Sequence, residues 1–184
     1  MFKQYQTGEF YDEMLQGNKP KDHYRLLYSI LKQFSEAEFK EKHELAQSSF
    51  LRQGITFTVY GEDGGTERTM PFDFVPIIIP GEKWEIIEKG MKQRVEALNL
   101  FLEDVYHEQE IIKAGIIPKE LVEQNCYYYK QVAGINIPMN NHIFLAGIDL
   151  IRDEHGDYRV LEDNLRNPSG ISYVFQNRFI MRQV

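Results

Sequence analysis

The sequence predicts an α/β or α+β protein in which helices and strands are mixed along the chain. Apolar residues recur at helical spacing in several segments and alternate with a period of two in others. Glycine and proline turn signals separate the two kinds of segment. The 184 residues are 42% hydrophobic and 27% charged, which suits one domain with a core. We expect a single α/β unit over residues 1–184, with a helical arm over 1–54 and a mixed sheet, a long helix and a hairpin over 55–184.

Two helices are predicted in the arm. The second begins with a capping box, because Ser35 is followed three residues later by Glu38, and Gly54 is suited to end it. The apolar positions that predict the first helix are Tyr24, Leu27, Tyr28, Leu31 and Phe34.

The period then changes to that of strands. In ITFTVY, the residues Ile55, Phe57 and Val59 alternate as one half-buried face. GEDGG is typical of a turn, and MPFDFVPIIIP resembles an irregular strand that three prolines interrupt.

One long amphipathic helix and several shorter elements are predicted after that. The helix begins near Trp84, and its apolar face comprises Ile87, Met91, Val95, Leu98, Leu102 and Val105. The remaining predictions are a short helix over 118–125, a strand over 126–133, hairpin strands over 142–152 and 157–163, and a helix from about Gly170.

The composition excludes several classes of protein. A net charge of −7 disfavours binding to nucleic acid, and no apolar run is long enough to cross a bilayer. The single cysteine, Cys126, and the lack of a signal-peptide pattern predict a cytoplasmic protein. The final segment ISYVFQNRFIMRQV is amphipathic without a stop signal, so we expect its apolar face to need a partner and the chain to be part of something longer.

The segment GIDLIRDEHGDYRVLEDNLRNPSG raises a specific chemical problem. With the turn centred between His155 and Gly156, Asp149 lies opposite Glu162, and Asn164 shares the face of Glu162. Opposed Cβ atoms are about 4.5–5.5 Å apart, so two carboxylates there repel each other. Either they share a proton or a cation lies between them.

The amide oxygen of Asn164 favours the cation, because an all-oxygen ligand set suits Mg²⁺ or Mn²⁺. The alternative is that these acidic residues are solvated and that a bulge shifts the register by one residue. Arg166 follows on the same side. Asn167, Ser169 and Gly170 then open a helix whose N-terminus can bind an anion. Together these residues indicate phosphoryl chemistry.

Other candidate residues could have either a functional or a structural role. Arg94 on the long helix could bind a substrate carboxylate or be a surface charge. Asp73 could contact substrate or cap a turn. His142 is typical of a buried histidine with satisfied hydrogen bonds, and Cys126 and the tyrosines at 127–129 are typical of a strand and core.

The hairpin resembles the metal-binding signature of ATP-grasp ligases such as D-alanine–D-alanine ligase. Glu162 follows Asp149 by 13 positions, as in that signature. More broadly, the chain resembles the N-terminal part of the bacterial circularly permuted ATP-grasp proteins, relatives of glutathionylspermidine synthases. The resemblance covers nearly all residues, through YDEM, DHY, GITFTVY, PFDFVP, KQRVEALNLFLEDVY, AGIIP, AGIDLIRD and LEDNLRNPSGISYV in that order.

The resemblance implies an ATP- and Mg²⁺-dependent ligase that joins a carboxylate to an amine through an acyl phosphate. Asp149, Glu162 and Asn164 would hold Mg²⁺, and Arg166 would bind the γ-phosphate or the acyl phosphate. Asn167, Ser169 and Gly170 would line the anion pocket, with Arg94 and Asp73 as further candidates for substrate contacts.

The same resemblance places the lobe that grips ATP later in the family's sequences. We therefore expect this chain alone to be inactive and to bind ATP weakly, and self-association into a homo-oligomer stays open. Two positions depart from the family pattern, Ile77 where an arginine is usual and Gln176 where a glutamate is usual. They favour the alternative of an inactive binding or scaffolding module. A phosphate-ester hydrolase ranks last, because no catalytic histidine pairs with the site.

Overall fold

The computed structural model describes residues 5–61 and 64–184, and the chain divides into two compact units. The first unit comprises Met1–Pro80, Arg152–Asp157 and Ser169–Val184. The second comprises Gly81–Ile151 and Tyr158–Pro168. In the described part of the chain, no helix is long and apolar enough to cross a membrane.

The first unit starts with a small hairpin and two helices. The hairpin strands are β1 (Leu15–Gln16) and β2 (Lys19–Pro20), and the helices are α1 (Arg25–Leu31) and α2 (Glu36–Arg52). Both were predicted as helices, although α1 is shorter than its apolar pattern.

The predicted capping box at the start of α2 is confirmed. The hydroxyl of Ser35 accepts a hydrogen bond from the N–H of Glu38, and the carboxylate of Glu38 accepts one from the N–H of Ser35 at 2.8 Å. Hydrogen bonds from the backbone and the hydroxyl of Ser35 lower the pKa of Glu38. Two reciprocal contacts between Ser35 and Glu38 therefore set the start of this helix.

The predicted stop at Gly54 is also confirmed. Gly54 adopts a left-handed φ of +65°, which costs glycine least. The N–H of Ile55 donates to the carbonyl of Phe50 at 3.0 Å, and the N–H of Gly54 donates to that of Leu51 at 3.0 Å. These two bonds form a Schellman motif, which satisfies the last carbonyls of the helix.

An antiparallel hairpin follows, made of β3 (Thr56–Gly61) and β4 (Gly64–Thr69). The strand β3 was predicted, but Val59 is 38% exposed, so the predicted half-buried face is wrong at that residue. The strand β4 was not predicted. In the predicted turn GEDGG, residues 62–63 lie outside the described residues.

The predicted strand at 70–80 is wrong, since this segment has no regular structure. Prolines remove the N–H donors that a ladder of strands needs. The hydroxyl of Tyr24 instead accepts a hydrogen bond from the N–H of Ile78 at 2.8 Å and donates to the carbonyl of Pro76 at 3.1 Å. Tyr24 is 1% exposed, so a buried side chain holds the segment where a strand would use backbone partners.

The helix α6 (Gly170–Met181) closes the core of this unit. It contacts α2, and Ile180 is fully buried. Its apolar face was expected to need a partner, and the core of this unit supplies one for Ile180, while Val174, Phe175 and Phe179 are exposed. The buried core comprises Met14, Leu15, Tyr24, Leu31, Ala46, Phe50, Phe72, Phe74 and Ile180.

The second unit is built on the long helix α3 (Gly81–Tyr106), which confirms the predicted amphipathic helix. Ile87 and Val105, at the two ends of its apolar face, are buried. The helix α4 (Glu110–Lys113) was not predicted, and α5 (Lys119–Glu123) lies within the predicted helix at 118–125.

The predicted strand at 126–133 is wrong, because this segment contains turns and a short 3-10 helix at Lys130–Val132. The ring of Tyr128 stacks on Tyr106 of α3 at a centroid distance of 5.0 Å, which holds the segment against the helix. A tertiary contact thus overrides the strand propensity of three consecutive tyrosines.

The predicted hairpin is confirmed as β5 (Gly147–Arg152) paired with β6 (Tyr158–Asn164). Its first strand begins later than predicted. The side-chain oxygen of Asn99 accepts hydrogen bonds from the N–H groups of His142 and Ile143, which therefore do not enter the ladder. Mixed helices and strands are confirmed, but the strands of the described ranges form three separate antiparallel pairs and no mixed sheet.

Candidate functional site

The base of the β5–β6 hairpin brings the predicted metal ligands to one face. A Cβ atom built on Gly147 would lie 3.6 Å from the Cβ of Asn164, so these two residues oppose each other. Moving two residues along each strand keeps the face and places Asp149 opposite Glu162. Asp149, Glu162 and Asn164 are all exposed, whereas Leu150 on the other face is half-buried.

The tip of the hairpin has a different pairing. The N–H of Asp153 donates to the carbonyl of Asp157 at 2.9 Å, and the N–H of Gly156 donates to the carbonyl of Asp153 at 3.0 Å. Gly156 has a φ of +86°. The loop therefore contains residues 154–156, and the predicted turn centred between His155 and Gly156 is wrong, because the glycine forms a bulge that ends a type I turn.

The two ends of the hairpin differ by one residue in register. Asp153 lies six positions after Gly147 on β5, but Asn164 lies seven positions after Asp157 on the partner strand. The alternation of exposure in β6 breaks where Leu161 and its neighbour are both exposed. The sequence of β6 thus contains an extra residue, a bulge that restores the face of the carboxylates.

Glu162 and Asn164 touch directly. The amide nitrogen of Asn164 donates to Oε1 of Glu162 at 2.9 Å, which is the contact expected of neighbours on one face of a strand. In the described residues no group of three histidine, cysteine, aspartate or glutamate side chains is spaced to hold a metal. The set on this face is two carboxylates and an amide, which as oxygen donors suit a hard divalent cation.

Asp163, between these two residues, points to the opposite side of β6. Arg94 of α3 donates to both of its carboxylate oxygens, from Nε at 2.7 and 3.0 Å and from Nη2 at 2.7 Å. This hydrogen bonding lowers the pKa of Asp163. The sequence left open whether Arg94 contacts substrate or is a surface charge, and in the structure its guanidinium bonds to Asp163. Strand alternation was the signal that could have identified Asp163.

Arg166 lies beyond the end of β6 against two tyrosines. Its Nη2 donates to the hydroxyl of Tyr129 at 3.1 Å. Its guanidinium carbon is 5.2 Å from the centre of the Tyr127 ring and 5.8 Å from that of Tyr129. The predicted strand and core assignment of these tyrosines is wrong, since they are 66% and 40% exposed. Cys126 beside them is also exposed.

The other predicted site residues are divided between the two units. Asn167 is exposed in the second unit, and Ser169 and Gly170 are exposed at the start of α6 in the first. The side chain of Ser169 makes no capping hydrogen bond to the helix. Asp73, in the first unit, accepts the N–H of Val75 at 2.8 Å, the turn-capping contact that was one of its two predicted roles.

Gly147 is a structural residue of the site that sequence reasoning missed. A Cβ atom built there would lie 2.6 Å from the Cβ of Pro168. The proline can pack over the first residue of β5 only because that residue has no side chain. A glycine at the start of an otherwise apolar strand was the available signal.

Comparisons with known proteins bear on the region that contains this hairpin. Residues 76–184 match the family model described as a circularly permuted ATP-grasp. An uncharacterized protein of Synechocystis is 43% identical over 97% of this chain and 37% of its own length, and one of Mycobacterium leprae is 42% identical over 100% and 33%.

A further relative carries a functional name. A Frankia alni protein named "Putative glutamate--cysteine ligase 2-3" is 32% identical over 100% of this chain and 21% of its own length. The chain thus spans about a third or less of the length of these relatives. Because the family model matches more than half of the chain, including the whole β5–β6 hairpin, the chain belongs to the circularly permuted ATP-grasp family.

Proposed function

We propose that this chain carries the metal-binding hairpin of an ATP- and Mg²⁺-dependent ligase that joins a carboxylate to an amine. Membership of the family and the relative named as a glutamate–cysteine ligase support a ligase. The single observation that carries the proposal is the exposed face at the base of the hairpin. There, Asn164 touches Glu162 and Asp149 lies on the facing strand.

The ligands fit Mg²⁺ by their chemistry. Asp149 and Glu162 supply carboxylate oxygens, and Asn164 supplies Oδ1 once its nitrogen has bonded to Glu162. Their exposure leaves room for water and phosphate oxygens, which usually complete the Mg²⁺ shell. When bound, the cation would offset negative charge on the transferring phosphoryl group.

In the proposed reaction the substrate carboxylate attacks the γ-phosphorus of ATP, which gives an acyl phosphate and ADP. The amine then attacks the acyl carbon and loses a proton, and phosphate leaves as the amide bond forms. In the second unit, Arg166 and the neighbouring Asn167 would bind the phosphoryl oxygens. Ser169 and the N–H of Gly170, at the start of α6 in the first unit, would bind an anion. Positioning and electrostatics suffice, so no protein nucleophile is needed.

Arg94 and Asp73 take smaller roles in the proposal. Arg94 holds Asp163 on the far side of β6 and so supports the strand beneath the metal ligands. Asp73 remains a candidate substrate contact, with one carboxylate oxygen already bonded to a turn.

A second candidate function is an inactive binding module of the same family. It is favoured by two positions that depart from the expected family pattern. Ile77 is 61% exposed and offers no charge. The side-chain oxygen of Gln176 is buried without a hydrogen-bond partner among the described residues. The two functions differ in one observable, because only the ligase makes ADP when both an acid and an amine are supplied.

Binding of Mn²⁺, followed by electron paramagnetic resonance, tests the proposed metal face in this 184-residue chain. We expect Asp149→Asn and Glu162→Gln each to lose most Mn²⁺ binding while the fold, followed by circular dichroism, is kept. Glu96→Gln, which removes an exposed carboxylate of α3, is the matched control, and it should bind Mn²⁺ as the unsubstituted chain does. Wild-type affinity in both ligand variants would refute the metal assignment.

A further inference from the structure

The three consecutive tyrosines at 127–129 contact two different partners. Tyr127 and Tyr129 are exposed and lie against the guanidinium of Arg166, whereas Tyr128 between them packs on α3. A large aromatic ring that stays exposed contributes little hydrophobic stabilisation to the fold. Two such rings around one cation therefore indicate a role for the arrangement itself.

Tyr106 of α3 and Asn125, which follows α5, hold these tyrosines in place. Tyr128 stacks on Tyr106 with an angle of 12° between the rings, and the N–H of Tyr129 donates to the hydroxyl of Tyr106 at 3.3 Å. The N–H of Tyr127 donates to the side-chain oxygen of Asn125 at 2.9 Å. The backbone that carries Tyr127 and Tyr129 is thus tied to the longest helix of the second unit.

The charge of Arg166 is available to a ligand. None of the ion pairs formed among the described residues includes it. Arg94 differs, because its guanidinium already makes three hydrogen bonds to Asp163. One Nη2 hydrogen bond to Tyr129 leaves Arg166 with further N–H donors, since a guanidinium carries five.

We infer that Tyr127 and Tyr129 are positioning residues that hold Arg166 ready to bind the oxygens of a phosphoryl group. The inference rests on the proposed function and adds residues to its anion site. Ordering a long flexible side chain on binding weakens affinity. A ring on which the guanidinium lies and a hydroxyl that fixes one nitrogen order it beforehand. Each tyrosine should strengthen anion binding by Arg166 about twofold to tenfold.

The test measures the Kd of inorganic phosphate by isothermal titration calorimetry and follows the mobility of Arg166 through its Nε–Hε NMR signal. Tyr129→Phe removes only the hydroxyl, Tyr127→Leu removes only the ring, and Arg166→Lys removes the planar fork of donors. We expect the phosphate Kd to rise about twofold to tenfold in each tyrosine variant, and more in Arg166→Lys. In both tyrosine variants the Arg166 signal should also narrow, because the guanidinium gains mobility.

Tyr5→Phe is the matched control, because it removes a hydroxyl that donates to Asp12 at 2.5 Å in the first unit. It should leave the phosphate Kd unchanged. Unchanged affinity and mobility in both Tyr127→Leu and Tyr129→Phe would overturn the inference, as would the absence of phosphate binding to the unsubstituted chain.

Measuring Mn²⁺ affinity on the same variants separates this inference from the proposed function. Normal Mn²⁺ binding in all of them, with phosphate binding that depends on Arg166 and both tyrosines, supports both. Failure of Mn²⁺ to bind any form would defeat the proposed function, while the same dependence of phosphate binding would still support the positioning role.

Discussion

Arg94 and Asp163 join the longest helix to the back of the strand that carries the proposed metal ligands. The guanidinium of Arg94 reaches both carboxylate oxygens, and the side chain of Asp163 is only 17% exposed. Glu162 and Asn164, on either side of Asp163, are exposed on the other face. The same short stretch therefore anchors the strand with one residue and presents possible ligands with its neighbours.

This ion pair predicts a specific dependence of stability on pH. Arg94 lowers the pKa of Asp163 in the folded state below its ordinary value of 3.8. The charged form of Asp163 then stabilises the fold fully above that value, and the contribution disappears as the pH falls below it through the folded-state pKa. Urea unfolding should show Asp163→Asn to be less stable than the unsubstituted chain at pH 7, with the difference shrinking as the pH falls below 3.8.

Glu88→Gln is the control for this comparison. Glu88 pairs with Lys92 on the surface of the same helix, at 2.6 Å but with both side chains well exposed. Ion pairs between exposed side chains contribute little to the free energy of unfolding. A loss in Asp163→Asn no larger than in Glu88→Gln at pH 7 would show that the Arg94 contact does not anchor the strand.

A second prediction concerns the glycine beneath Pro168. Gly147→Ala places a methyl group 2.6 Å from the Cβ of Pro168, so the backbone of one of them must move. We expect a loss of about 1–3 kcal/mol in the free energy of unfolding, the usual cost of overpacking. Chemical denaturation measures it.

Gly90→Ala in the interior of α3 is the matched control. A Cβ atom there meets nothing within 4 Å, and alanine is the better helix former. This variant should be more stable by up to about 1 kcal/mol. Equal effects of the two substitutions would contradict the packing of Pro168 over Gly147.

A third prediction concerns a carboxylate shared by two histidines in the second unit. Oε2 of Glu103 lies 2.5 Å from Nε2 of His142, whose side chain is 5% exposed, and Oε1 lies 3.4 Å from Nδ1 of His107. Removing the carboxylate leaves the His142 nitrogen buried without this partner. Glu103→Ala should therefore cost about 1–3 kcal/mol in the free energy of unfolding.

Glu96→Ala, at an exposed position of the same helix, should change stability by less than about 0.5 kcal/mol. Equal stabilities of the two variants would mean that Glu103 does not support the segment around His142. Because that segment leads into β5, the contact also bears on how the hairpin is held.

The elements that sequence predicted well are those with a local physical signal. The capping box at Ser35, the glycine stop after α2 and the apolar stripe of α3 depend on residues three or four positions apart. The hairpin was predictable because a turn that contains Gly156 separates two strands rich in apolar residues. The strand β4 was not, since GGTERT lacks apolar alternation and forms by pairing its backbone with β3.

The remaining errors have tertiary causes. The tyrosines at 127–129 favour a strand, but stacking of Tyr128 on Tyr106 holds their segment in turns. The turn of the hairpin was misplaced by the αL conformation of Gly156, and the extra residue in β6 compensated for it. A register that shifts by one residue and then returns keeps Asp149, Glu162 and Asn164 on one face, so their shared face was predicted although the turn was not.

The last prediction concerns Asn164→Asp, whose effect on stability should depend on whether Mn²⁺ is bound. In Asn164→Asp the amide donor to Glu162 is replaced by a second carboxylate, so without a cation the two like charges repel. With Mn²⁺ bound, the added carboxylate is a better ligand than the amide. Thermal unfolding should therefore show the variant to be less stable than the unsubstituted chain in EDTA, and its unfolding temperature should rise more on adding saturating Mn²⁺.

Asn164→Leu is the control, because it loses the donor without adding a ligand, and its unfolding temperature should rise less than that of the unsubstituted chain. If Mn²⁺ stabilises all three proteins equally, Asn164 does not hold the cation.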